Sequence, residues 1–201
     1  MIRGDLARAE EAYEEARRLA ESLDDVKGLI GALSDLGAVA LNRGAGHQAI
    51  ALHGRAVSLA QQFGETRLLI AGLTSLGAAE YRAGRTEEAG RRYQQALELL
   101  EGAADHRAEA IIRNNLGLVR QAAGDVRQAE QLFRQAMVLN QAAGHPDAEA
   151  SNHVNLGILA EGHHEFEVAE REFERALELD KIAERRAEIA ADLLRLGRIA
   201  E

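Results

Sequence analysis

The sequence predicts an all-α protein, a solenoid of antiparallel helix pairs with about ten helices. Three observations predict this fold: a dipeptide that recurs every 40 residues, apolar columns with helical spacing in the same phase, and glycines between those columns. A fixed period of this length is typical of solenoids, in which one helix pair cannot bury its own apolar face and stacks on its neighbours. No strand is therefore expected.

The recurring dipeptide is Leu-Gly, and it marks the first helix of each pair. Its five copies stand at Leu36-Gly37, Leu76-Gly77, Leu116-Gly117, Leu156-Gly157 and Leu196-Gly197. The apolar spacing around these copies predicts the first helices at about 29–43, 69–83, 108–123, 148–163 and 187–201.

The second helix of each pair carries two alanine columns around a bulky side chain. Ala9, Tyr13 and Ala16 begin this pattern, and their spacing of four and seven residues is helical. Alanine lets a neighbouring helix axis approach to about 8–10 Å, and the bulky side chain fills the remaining gap. In later repeats the bulky position is held by His53, Tyr93, Phe133 and Phe173. Second helices are predicted at about 4–22, 46–63, 86–103, 126–143 and 166–183.

Glycines separate the two helices of a pair. Gly44, Gly84 and Gly124 suit a residue at positive φ that ends a helix, and His164 replaces the fourth glycine. The expected organisation is one repeat domain over residues 1–201. Within it, 4–22 forms an unpaired N-terminal helix, 187–201 forms an unpaired C-terminal helix, and complete repeats lie at about 29–63, 69–103, 108–143 and 148–183.

Leu-Gly followed by Ala-x-x-x-aromatic and a further Ala resembles the tetratricopeptide repeat, and the resemblance covers nearly the whole chain. The run Asn114-Asn115-Leu116-Gly117 is similar to the long-repeat variety found in kinesin light chains and spindle-orientation scaffolds. The resemblance implies a right-handed superhelix whose first helices line a concave groove, and a noncatalytic scaffold that binds a peptide or protein segment there. The chain departs from the family in its period, which exceeds the common 34 residues, and in lacking the closing proline.

The predicted groove contains several polar side chains. Asn115 and Asn155 each precede a Leu-Gly, and a side-chain amide can both donate to and accept from the backbone of an extended peptide. Such an amide can equally bond a neighbouring helix and only stiffen the stack, so both interpretations stay open. The residues expected to set specificity are Tyr81, Arg82, Asn114, Asn115, Gln121, Asn155, Ile158 and Glu161.

Arg113 stands in a packing column where the resemblance implies a large aromatic residue. Its stem is expected to pack while its guanidinium group pairs with a nearby acid such as Glu109. The groove carries no lysine, which disfavours the carboxylate clamp of chaperone-binding relatives.

Composition argues against several functional classes. The net charge of −9 disfavours nucleic acid, which needs a basic stripe. The chain has no cysteine, no Gly-x-Ser-x-Gly elbow and no phosphate loop, so we expect no enzyme activity and no cofactor. His163 and His164 are adjacent on a turn and point apart, which disfavours a metal site. Neither a signal peptide nor a spanning segment is visible, so no membrane partner is expected and a cytoplasmic location is the default expectation.

The terminal helices suggest an alternative function. They lack a sequence neighbour to cover their apolar residues, so copies could stack head to tail. The residues concerned are Leu6, Tyr13, Leu19, Leu193, Leu196 and Ile199. The chain could also be a regulatory or sensor segment of a larger signalling or transcription-regulatory protein.

Overall fold

The computed structural model describes residues 2–199, and this part of the chain is entirely helical apart from short connections. Its ten helices alternate between the predicted first and second members of each pair. They are α1 (Ile2–Ser22), α2 (Val26–Asn42), α3 (Gly46–Gln62), α4 (Thr66–Arg82), α5 (Thr86–Leu100), α6 (His106–Ala122), α7 (Val126–Ala143), α8 (Pro146–Gly162), α9 (Phe166–Ile182) and α10 (Arg186–Ile199).

The helices form two compact units, residues 1–102 and residues 103–201, which we call the first and second unit. In the first unit each of α1 to α4 packs on the helix that follows it, and α2 also contacts α4. In the second unit α6 to α10 pack in the same order, and α6 also contacts α8. The first helices of successive repeats therefore lie side by side within each unit, as the prediction of stacked helix pairs requires.

The predicted first helices began one to three residues too late. Their starts were placed at 29 and 69, for example, whereas α2 begins at Val26 and α4 at Thr66. Before α2 and α6 the connection is short because a capping aspartate leads directly into the helix. Asp25 and Asp105 each accept a hydrogen bond from a backbone N–H three residues later, at 3.0 Å.

The predicted end of α5 at residue 103 was also wrong. The helix stops at Leu100, and Gly102 adopts φ 84° shortly after it. The turns within the repeats are as predicted, with positive φ at Gly44, Gly84 and Gly124 and a φ of 62° at His164.

The Leu-Gly glycines are required by the bulky column of the second helices. A Cβ atom on Gly117 would lie 2.5 Å from Cε1 of Phe133, and one on Gly157 would lie 2.5 Å from Cε1 of Phe173. Real Cβ atoms are not found that close to ring carbons, so each aromatic ring rests on a bare backbone. The first four copies of the dipeptide therefore mark the same close helix contact, whereas nothing lies within 4 Å of a Cβ atom on Gly197.

The apolar residues of α10 that were expected to be uncovered are partly covered by α9. Leu196 and Ile199 pack against a buried cluster that contains Ala169 and Phe173. They do so because α10 lies against the preceding second helix, as α2, α4 and α8 do. In contrast, Leu193 and Leu19 are 54% and 58% exposed.

His53 is the one polar member of the bulky column. Its ring lies over Gly37 and is only 2% exposed, and among the described residues its Nδ1 has no hydrogen-bond partner. Burial therefore lowers the pKa of His53 below its usual value. The neutral ring is the form that suits this site.

Replacing His53 with phenylalanine, which fills the same position at Phe133 and Phe173, is expected to remove part of the pH dependence of stability. Because the folded pKa is lowered, the unfolded chain takes up the proton more readily, so the free energy of unfolding falls as pH falls below about 6.5. Urea unfolding followed by tyrosine fluorescence measures this, since Tyr13, Tyr81 and Tyr93 all belong to the first unit. An unchanged loss of stability in His53→Phe between neutral and mildly acidic pH would contradict the assignment.

Candidate functional site

The residues predicted to set specificity fall in both units. Tyr81 and Arg82 end α4 in the first unit, where Tyr81 is half-buried and Arg82 is exposed. The other six lie on α6 and α8 of the second unit, which therefore carries most of the candidate site.

The centre of the site in the second unit is a network of asparagines. Asn152 on α8 is 1% exposed, and its amide nitrogen donates to Oδ1 of Asn114 on α6 at 2.9 Å. The same Oδ1 accepts from the amide nitrogen of Asn155 at 2.8 Å. On the other side, Asn140 of α7 donates to Oδ1 of Asn152 at 2.7 Å. This asparagine network joins three helices.

The network uses only part of the hydrogen-bonding capacity of its outer members. Within the described part of the chain, Nδ2 of Asn114 and Oδ1 of Asn155 have no side-chain or backbone partner, and both residues are half-buried rather than enclosed. Asn115 is also half-buried and makes no side-chain hydrogen bond there. Asn155 thus bonds a neighbouring helix with its nitrogen while its oxygen remains available, so the two interpretations of this amide are compatible.

The remaining predicted residues on these two helices lie at the surface. Ile158 is 39% exposed, and Gln121 is half-buried. Glu161 lies 3.8 Å from a guanidinium nitrogen of Arg198 on α10. The hydroxyl of Ser151, which lines both clefts described below, donates to the carbonyl of Asp147 one turn earlier, which leaves it only as an acceptor.

Two clefts open beside the asparagine network. One has a volume of about 330 Å³ and lies between α6, α7 and α8, with Asn114, Asn152 and the exposed Ile111 in its wall. The other has a volume of about 210 Å³ and lies between α8, α9 and α10. Arg185 lines both, so the two clefts are adjacent on this face of the second unit.

A second buried polar pair was missed from the sequence. Asp180 of α9 and Asp192 of α10 are 1% and 0% exposed, and both line the smaller cleft. They occupy the positions of Asn140 and Asn152 one repeat later. We call Asn140 and Asn152 the amide pair, and Asp180 and Asp192 the acid pair.

The signal that could have revealed both pairs is a column with the period of the repeat. Two columns are buried in every repeat, one near the end of the second helix and one in the following first helix. Their members are Ala20, Ala60, Leu100, Asn140 and Asp180, and Ala32, Gly72, Ile112, Asn152 and Asp192. Polar residues in a buried column mark a special contact.

Two arginines partly neutralise the acid pair. Arg195 donates to Oδ1 of Asp192 at 2.6 Å, and Arg185 donates to Oδ1 of Asp180 at 3.2 Å. Burial nevertheless raises the pKa of both carboxyl groups, so each holds its proton to a higher pH than an ordinary aspartate does.

The prediction for Arg113 is confirmed. Its guanidinium group bonds Oε1 of Glu109 at 2.7 and 2.9 Å, and it also donates to Gln135 of α7 at 2.8 Å. The residue ties α6 to α7.

No group of three or more potential metal ligands occurs among the described residues. In the same part of the chain, no helix has the length and apolar character needed to cross a membrane.

The sequence matches the tetratricopeptide repeat family model in three overlapping stretches, 28–102, 68–142 and 108–182. The chain belongs to the tetratricopeptide repeat family. Tetratricopeptide repeats typically serve as noncatalytic scaffolds for protein interactions. No curated protein sequence matches the chain.

Solved structures agree with this assignment. BtubC (BKLC) from P. vanneervenii is 26% identical, with a TM-score of 0.81 over 96% of this chain and 81% of that one. The kinesin light chain TPR-like repeats from Podosopora anserina are 13% identical, with a TM-score of 0.65 over 90% of this chain and 97% of that one. A Signal Transduction ATPase with Numerous Domains from Pyrococcus horikoshii, which carries a tetratricopeptide repeat sensor, is 14% identical; its TM-score is 0.77 over 92% of this chain and 29% of that one.

Proposed function

We propose that this tetratricopeptide repeat protein is a noncatalytic scaffold that holds an extended peptide or protein segment against α6 and α8 of the second unit. The observation that carries the proposal is the asparagine network, whose outer amides keep one donor and one acceptor beside an open cleft. A side-chain amide with both functions matches the alternating groups of a peptide backbone.

The spacing of the helices supports an extended ligand. Helices in contact lie about 10 Å apart, and an extended strand advances about 3.3 Å per residue. Asn115 of α6 and Asn155 of α8 can therefore contact backbone groups about three residues apart on one strand.

The surface beside the amides supports side-chain recognition. Ile111 is 46% exposed and Ile158 is 39% exposed on the same two helices. Exposed apolar side chains next to polar groups that can orient a backbone are typical of peptide grooves.

The double replacement Asn115→Ala with Asn155→Ala is expected to weaken partner binding at least about tenfold, equivalent to about 1.4 kcal/mol of binding free energy. Stability is expected to fall by no more than about 1 kcal/mol, because Asn114 keeps the hydrogen bond from Asn152. Quantitative pull-down from the source cell measures the first effect, and thermal unfolding followed by circular dichroism measures the second.

The matched control is Gln141→Ala, which removes an exposed amide from α7 outside the predicted groove. It is expected to retain the partner. Full partner recovery by the double variant would refute the proposed groove. A large loss of helicity would instead show that both amides stabilise the packing of neighbouring helices.

Head-to-tail association of copies is the alternative proposal. It is favoured by the exposure of Leu193 and Leu194 on α10, at 54% and 73%, and of Leu19 on α1. Growth of the apparent mass with concentration in light scattering would support it. A constant monomer mass would contradict it and leave peptide binding in the groove as the remaining proposal.

A further inference from the structure

We propose that the second unit carries a subsite for a cationic side chain, an arginine or lysine of the bound segment, at the acid pair formed by Asp180 and Asp192. This inference rests on the proposed function and names the chemistry of the partner. It predicts that a basic residue of the segment enters the smaller cleft between α8 and α10, beside the groove.

The amide pair shows how polar side chains can be accommodated at these two buried positions. Asn140 donates to Asn152 at 2.7 Å and Asn152 donates to Asn114 at 2.9 Å, so the buried amide of Asn152 uses both its acceptor and its donor. Two aspartates at the equivalent positions have only acceptors when ionised. The acid pair therefore needs a proton or an additional cation.

The arginines present do not supply enough hydrogen bonds. Asp192 is 0% exposed and lines the cleft. Its Oδ2 atom is buried and has no hydrogen-bond partner among the described residues. Arg185 is divided between three acceptors. It donates to Asp180 and to the backbone carbonyl of Asp147, and its second terminal nitrogen lies 3.0 Å from Glu188.

The charges in the cleft also favour a cation. Its wall contains three carboxyl groups, those of Asp180, Glu188 and Asp192, against the guanidinium groups of Arg185 and Arg195. When all are ionised, the cleft has an excess negative charge at its least exposed side. An incoming guanidinium or ammonium group provides the missing positive charge and donors in one step.

The raised pKa of the two aspartates makes the subsite sensitive to pH. The groups that face the acid pair are Arg185, Glu188 and Arg195 from α10 and the turn before it, while α8 contributes only neutral side chains, Ser151 and Asn155. Burial raises the pKa of both aspartates, so the empty subsite keeps its proton at higher pH than an ordinary carboxyl group. A cationic side chain replaces that proton, so binding releases it to solvent. Affinity therefore rises with pH, by up to about tenfold per pH unit while the proton is held.

The test uses the full chain, labelled with ¹⁵N, and a short glycine-serine peptide with one central arginine. The control peptide carries citrulline, which has the same shape as arginine and no charge. Only the arginine peptide is expected to shift the backbone amides around Asn155 and Ala191, and its affinity is expected to be higher at neutral than at mildly acidic pH. Equal shifts with both peptides, or no shift with either, would overturn the subsite.

A charge variant locates the effect. Asp192→Asn replaces one carboxylate with an amide that can donate to Asp180, so it is expected to fold and to bind the arginine peptide at least about tenfold more weakly. Glu174→Gln removes one charge from the exposed face of α9 and is expected to bind normally. Binding by Asp192→Asn at wild-type strength and with the same pH dependence would contradict the assignment. If this variant does not fold, the comparison of arginine with citrulline on the unmodified chain still decides.

The outcome is separable from that of the proposed function. If a cellular partner is lost by the Asn115 and Asn155 double variant but kept by Asp192→Asn, the subsite proposal is contradicted and the groove proposal is supported. If the double variant keeps the partner, the groove proposal is contradicted, whether or not the arginine peptide binds.

Discussion

Replacing Gly117 with alanine is expected to lower the free energy of unfolding of the second unit by about 2 kcal/mol. The new methyl group would lie 2.5 Å from Cε1 and 2.7 Å from Cδ1 of Phe133, so α6 and α7 must separate or the ring must leave its rotamer. Overpacking of this kind costs about 3 kcal/mol at its upper range, and the higher helix propensity of alanine returns about 1 kcal/mol. Urea unfolding followed by circular dichroism measures the difference.

Gly197→Ala is the matched control, because it changes the same dipeptide where nothing lies within 4 Å of the new methyl group. It is expected to leave stability unchanged or raise it by up to about 1 kcal/mol. Combining Gly117→Ala with Phe133→Leu should cost less than the sum of the two changes, since the smaller side chain makes room for the methyl group. Additive losses would show that the ring contact is not the reason for the glycine.

Replacing Asn152 with alanine is expected to destabilise the second unit by about 3 kcal/mol. The change removes the donor to Asn114 and the acceptor of Asn140, and Asn140 is only 5% exposed. A buried amide nitrogen without a partner bears its full desolvation cost of about 1–3 kcal/mol, in addition to the two lost hydrogen bonds. The measurement is again urea unfolding followed by circular dichroism.

The control replaces both members of the amide pair with the apolar residues found in the same columns one repeat earlier. Asn140→Leu with Asn152→Ile copies Leu100 and Ile112. This double variant is expected to recover most of the stability, because no buried polar group is left without a partner. If it were as unstable as Asn152→Ala, shape rather than hydrogen bonding would explain the loss.

The fold could be predicted because each repeat makes the same contact. Gly117 faces Phe133 and Gly157 faces Phe173, so the same steric requirement for glycine recurs in the sequence at a constant interval. The helix ends were less predictable, because they depend on single capping and turn residues. Asp25 caps α2 and Gly102 follows the end of α5, and neither residue belongs to a column used for the prediction.

The site could be predicted only in outline. The positions of Asn114 and Asn155 on first helices follow from the period, but their mutual hydrogen bond depends on the distance between two helices and is not encoded in either repeat alone. Asp180 and Asp192 were missed for a different reason. Neither belongs to the Leu-Gly, alanine or bulky-residue columns used for the prediction, whereas their burial follows from the columns that they share with Asn140 and Asn152.

The two buried columns change character together along the chain. Ala20 and Ala32 are small, the amide pair is polar and neutral, and the acid pair is ionisable. One member of each pair comes from one repeat and the other member from the next repeat. The polarity and charge of the two residues must therefore match across the junction between repeats. Recombination that swaps whole repeats would therefore set an aspartate against an alanine or an asparagine, whereas exchange of junctions, cut in the middle of each repeat, would keep every pair intact.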